Sequence, residues 1–188
     1  MIPLPRCHRS PNEMCGVVDF LKSWDDANSI ENIRTFELFK TSAGSINQNG
    51  VEGSFKAPSL SPHHAIFLKS LEPGIAPLVL ALIERGLVTY TSCEGHLIRD
   101  VVHEAHVGLI DDSRGRKVVD TPILKACRES GLSLYQHRLL DTDSRSVFNT
   151  LELYVDYISY DSFEEYKRAV CCVVELACSK LKAVSLSH

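Results

Sequence analysis

The chain has 188 residues, is 44% hydrophobic and 23% charged, and carries a formal net charge of -4. That length suits one globular domain with an appended segment, and the acidic balance excludes recognition of nucleic acid through bulk charge. No stretch reaches the ~18 apolar residues that a membrane span needs, so no membrane partner is expected.

The start, Met1-Ile2-Pro3-Leu4-Pro5-Arg6, lacks the long apolar core of a signal peptide. The seven cysteines, Cys7, Cys15, Cys93, Cys127, Cys171, Cys172 and Cys178, are unevenly spaced and form no Cys-x-x-Cys pair. An odd count without an export signal fits a reducing, cytoplasmic setting better than a disulfide framework.

Residues 10–24 read as a helix. Ser10 suits the cap, Pro11 the first helical position, and Met14, Val17, Val18, Leu21 and Trp24 share a face. Residues 29–40 fit a helix through Ile30, Ile33 and Phe36, or a short strand through Phe36 to Phe39. From Thr41 to Pro58 the chain is rich in Ser, Gly, Asn and Gln, which reads as a loop. The division expected is therefore an N-terminal helical segment and loop over 1–58 and an α/β domain over 59–188.

Ser61-Pro62 opens a short helix over His63 to Leu71. A stronger one follows, with Ile75, Leu78, Val79, Leu82 and Ile83 on one stripe and Gly86 as its stop. Leu87 to Ser92 is β-rich, and Ala105, Val107 and Leu109 alternate as a strand with one buried face. The helix from Thr121-Pro122 carries Ile123, Leu124 and Cys127 and closes at Gly131. Leu132–His137 and Asn149–Ile158 read as strands. In the second, Leu151, Leu153, Val155 and Tyr157 face one way, and Glu152, Tyr154 and Asp156 the other. Ser162-x-x-Glu165 is a capping box for a last helix that buries Tyr166, Val170, Val173, Ala177 and Leu181.

This order predicts an α/β (α+β) fold, a two-layer sandwich with a mixed sheet of about four strands and helices on one face. The strands at Ala105 and Leu134, joined through a helix, should run parallel. The N-terminal segment or a second subunit would have to cover the remaining face, so a homo-oligomer is compatible with the pattern.

Chemistry concentrates in Thr91-Ser92-Cys93-Glu94-Gly95-His96, where a thiol, a carboxylate and an imidazole surround a glycine at a strand end. Four readings apply. Cys93 and His96 suit zinc, with His103 or His106 completing the shell; those two stand three apart, so on a strand they face opposite ways and one must lie in the loop. Alternatively Cys93 is a nucleophile, His96 its base and Glu94 either orients a substrate amine or shuttles a proton, although no third group to orient His96 is evident. In a third reading the N–H groups around Gly95 form a nest for an anionic group, with Ser92 and His96 fixing its polar end. The plainest reading gives Gly95 to the turn, Cys93 to the interior and His96 to a local hydrogen bond.

Other groups have simpler explanations. Cys171, Cys172 and Cys178 sit on an apolar helix as small hydrophobes. His63-His64 opens a helix, and Ser113-Arg114-Gly115-Arg116 reads as a solvated loop. Glu152, Tyr154 and Asp156 fit an exposed sheet face, with a cleft shared with His106 as the sharper alternative.

The run from Ile75-Ala76-Pro77-Leu78 to Tyr90-Thr91-Ser92-Cys93-Glu94-Gly95-His96-Leu97, with Leu124 to Leu132 after it, resembles the wybutosine-tRNA methyltransferase family. There a helix leads into a strand and a Ser-Ser-Cys-Ser-Gly-Arg turn. The resemblance covers about residues 75–158. It implies an S-adenosylmethionine-binding α/β domain whose turn is matched by Ser92, Cys93 and Gly95. Glu94 stands in place of a serine and His96 in place of the arginine, which removes a permanent charge and a bidentate donor. Nucleic acid enters as a partner only through this resemblance.

The leading expectation is a small enzyme acting at this turn on a polar small molecule or modified nucleoside, methyltransferase-like by resemblance. A zinc-dependent enzyme and a non-enzymatic binding or assembly module are the alternatives.

Overall fold

The computed structural model describes residues 12–14, 16–24, 39–41, 44–46, 61–64, 67–111, 122–157 and 160–184. In chain order its elements are β1 (Asn12–Met14), α1 (Val17–Ser23), β2 (Phe39–Thr41), β3 (Gly44–Ile46), α2 (Phe67–Ser70), α3 (Ala76–Glu84), β4 (Val88–Cys93), β5 (His96–Ile98), β6 (Val101–His103), β7 (Ala105–Ile110), α4 (Pro122–Arg128), β8 (Ser133–Asp141), β9 (Val147–Val155) and α5 (Phe163–Ala183). Among the described residues no helix is long and apolar enough to cross a membrane.

Five strands form a mixed sheet in the order β1-β8-β9-β7-β4, parallel at β1–β8 and antiparallel elsewhere. The α/β class with a mixed sheet is thus as expected, and the strand count is corrected upward from four. The extra strand is β1, and two separate hairpins, β2–β3 and β5–β6, add to it. β7 and β8 run the same way, as the helix between them demands, but β9 lies between them and pairs antiparallel with both.

Alternation along the strands decides which helices go where. Ala105, Val107, Leu109, Leu134, Leu151, Leu153 and Val155 bury one face of the sheet. Against it pack Leu78 and Leu82 of α3, Ile123, Leu124 and Cys127 of α4, and Val170, Val174, Ala177 and Leu181 of α5. Val174 holds the fully buried position expected of Val173, which is only partly buried. Both α3 and α4 stop at a glycine with positive φ, Gly86 at +77° and Gly131 at +96°. At each, the following residue closes a bond back into the helix, Leu87 N to Leu82 O and Leu132 N to Cys127 O.

The opposite face is covered in part by the N-terminal segment. Val17, Phe20 and Leu21 of α1, with Trp24 just after it, pack on Val88, Tyr90, Ile110 and Leu139. The expected helix over 10–24 is shorter than the pattern suggested, because Gly16 turns the backbone to φ +73° and Met14 pairs in β1 with Asp141. Asp141 anchors the helix start through an oxygen 3.1 Å from Gly16 N. Burial alone would raise its pKa, yet donors from Ser144 and the backbone of Asp143, Val17 and Val18 hold it below the ordinary carboxylate value.

Of the expected short helix over 63–71, Phe67–Ser70 is helical, and the expected loop over 41–58 holds strand residues at Thr41 and in β3. The caps at Ser10 and Pro11, most of 29–40, the proposed boundary near 58 and the Ser113–Arg116 loop lie outside the described residues.

Candidate functional site

Cys93 ends β4, the edge strand beside β7, and Gly95 turns the chain out of the sheet with φ +87°. A side chain here would be strained and crowded, since a Cβ would stand 3.0 Å from Tyr166 Cε1 and 3.3 Å from Ala105 N. The chain then forms a hairpin not foreseen in the sequence. Arg99 and Asp100, both with positive φ, join β5 to β6, as a two-residue primed turn requires.

Two clamps hold this turn to the helix layer. Glu94 Oε2 accepts from Gly74 N at 2.7 Å, and Lys167 Nζ on α5 lies 3.3 Å from Glu94 Oε1. The same ammonium reaches Gly95 O at 3.3 Å and Glu94 O at 3.4 Å. Above the turn, the Tyr166 hydroxyl accepts from Ala105 N and donates to Val155 O, stitching the end of the β7–β9 ladder.

Glu72, Cys93 and His96 each bring a donor atom within 4.8 Å of the other two, the group of metal-ligating side chains that converges among the described residues. They come from the loop before α3, the end of β4 and the start of β5. Glu72 Oε1 lies 2.8 Å from His96 Nε2, while Glu72 Oε2 accepts from Glu94 N at 2.7 Å. Gly95 N donates to Cys93 Sγ at 3.4 Å. Backbone N–H groups thus hold the carboxylate and the sulfur.

His96 is buried, and its pKa rises from 6.5 to about 10. Hydrogen bonding with Cys93 is the largest cause and that with Glu72 the second; both outweigh the burial that would lower it.

Of the residues singled out in the sequence, Cys93 and His96 meet. Ser92 lies opposite Val107 in the β4–β7 ladder, and Glu94 is committed to Gly74 and Lys167. His103 pairs with His96 across the hairpin, and His106 pairs with Cys93 across the sheet, but neither joins the three-donor group. The third donor is Glu72 in their place. The turn's N–H groups do receive a carboxylate, and it is the protein's own: Glu72 occupies Glu94 N, and Cys93 takes Gly95 N.

Glu72, Lys167 and Tyr166 escaped the sequence reading as site residues. Glu72 stands 24 residues before His96 with no motif spacing to tie them, and only the packing of α3 brings it in.

The expectation of an exposed face at Glu152 is corrected. Glu152 is 4% exposed and accepts from Tyr90 at 2.8 Å and Tyr154 at 2.6 Å, with His137 Nε2 at 3.3 Å. Tyr90 reaches it because the β4 register shifts between Thr89 and Thr91, and because Gly108 opposite has no side chain. The His106 and Tyr154 rings lie 5.2 Å apart, centre to centre.

No protein-family model, no curated protein and no solved structure matches this chain.

Proposed function

We propose that Glu72, Cys93 and His96 bind a single zinc ion and form the centre of a small metal-dependent enzyme. The observation that carries this reading is the convergence of three zinc-type donors from three separate elements, two of them already held by backbone N–H groups. Three protein ligands leave a fourth position open, which is the pattern of catalytic rather than structural zinc. An ion so held supplies Lewis-acid chemistry to a carbonyl or phosphoryl oxygen of a polar small molecule. The protein's own part is to keep the Glu72 carboxylate and the Cys93 sulfur hydrogen-bonded to backbone N–H groups and to fix the turn through Lys167. Five free thiols among the described residues fit a reducing, cytoplasmic setting.

A second reading uses the same groups without an ion. Glu72 is the orienting partner of His96 that the sequence left missing, so Cys93–His96–Glu72 also has the order of a thiol nucleophile, its base and an orienter.

Elemental analysis of untagged protein, followed by cobalt substitution, separates the two. The zinc reading expects one equivalent of metal, a sulfur-to-cobalt charge-transfer band, and loss of both in Cys93→Ala. A folded protein that takes up neither ion, yet loses rapid Cys93 alkylation on His96→Ala, transfers the site to the thiol reading.

A further inference from the structure

We propose a second, separate binding site for a protonated organic amine on the sheet face opposite α3, α4 and α5, at the corner formed by His106, Tyr135 and Tyr154 beside Asp156 and Glu104. The register builds it. His106, Tyr154 and Ser133 form one cross-strand row of β7, β9 and β8, and Gly108, Glu152 and Tyr135 form the next. The rings meet as walls: His106 and Tyr154 are tilted at 32° with centres 5.2 Å apart, and Tyr135 stands edge-on to Tyr154 at 79° and 5.7 Å. All three are only partly buried.

The hydrogen-bonding capacity of this corner is one-sided. His106 Nδ1 lies 3.1 Å from Glu104 O; a carbonyl only accepts, so Nδ1 is the donor there. Asp156 accepts from Ser133 and, at 3.4 Å, from Tyr135, which leaves part of its lone-pair capacity unused. Glu104 Oε1 accepts from Tyr157 N at 2.7 Å. Among the described residues neither Asp156 nor Glu104 has a lysine or arginine partner. Both carboxylates act on Tyr135, whose pKa is raised first by burial and then by Asp156, with Glu104 contributing.

Ring faces attract cations, and uncompensated carboxylates with spare acceptors attract N–H donors. An ammonium group satisfies both demands, whereas an anion or a neutral acceptor satisfies neither. The buried Glu152 network beneath fixes Tyr154, so the corner exists before a ligand arrives.

Aromatic carbon–proton NMR spectra of the full chain, titrated with benzylammonium and then with benzyl alcohol, test this. The two probes share a skeleton and differ in charge. Benzylammonium should shift the His106, Tyr135 and Tyr154 resonances saturably in the millimolar range, and benzyl alcohol should not. Asp156→Asn and Tyr154→Leu should each weaken binding by about tenfold, and Tyr154→Phe should retain it. Chelator-treated protein should bind benzylammonium unchanged, so failure here is distinguishable from failure of the zinc reading. Equal shifts with both probes, or none with benzylammonium, would overturn the proposal. If Tyr154→Leu fails to fold, Asp156→Asn and Tyr135→Leu give the same reading.

Discussion

Replacing Tyr166 by phenylalanine removes one oxygen atom from the junction of α5 with the β7–β9 ladder. The ring is fully buried, with Tyr157, Tyr160 and Phe163 around it at centre distances of 5.3, 5.6 and 6.0 Å. Those contacts persist in the variant. What goes is the hydroxyl that accepts from Ala105 N and donates to Val155 O at 2.8 Å. Ala105 is 0% and Val155 2% exposed, so both backbone groups are stranded away from water. Leaving a buried polar group unpaired costs about 1–3 kcal/mol, so two should cost about 2–6 kcal/mol. That is a large share of the roughly 5–15 kcal/mol by which a domain is stable. Urea unfolding should show a lower midpoint with an unchanged slope. A loss under about 0.5 kcal/mol at constant slope would refute the reasoning, because Ala105 and Val155 would then be closing on each other without the hydroxyl.

Gly108→Ala tests the opposite face. Its Cβ would meet Thr91 Cγ2 at 2.5 Å and Tyr90 Cε1 at 2.7 Å. Overpacking of this kind costs about 1–3 kcal/mol in denaturant unfolding, and a neutral result would mean that Tyr90 does not need the gap. The third prediction concerns pH in chelator-treated protein. His96 titrates near 10 when folded against 6.5 as its ordinary value, so its stabilisation is full below about 6.5 and fades as pH rises through about 10. Wild-type stability should therefore fall across that window more steeply than in Glu72→Gln, which lacks one of the groups holding the proton. Parallel pH profiles for the two proteins would sink that account.

Local pattern determined much of this molecule. Alternation in 105–110 and 147–155, the glycine stops at Gly86 and Gly131, and the Ser162–Glu165 cap all have causes within a few residues, and each element formed where those causes lie. The turn at Cys93–His96 was legible for the same reason, since a positive-φ glycine among reactive side chains marks a strand end. Where those side chains find partners was decided by packing across long sequence distances. Glu72 reaches His96 because α3 lies on the sheet above it, and Glu152 is buried because a register shift in β4 turns Tyr90 over Gly108. Period-two alternation tells which residues share a face of a strand but not which element covers that face. For β9 the covering decided that a carboxylate expected in solvent lies at the centre of a buried network.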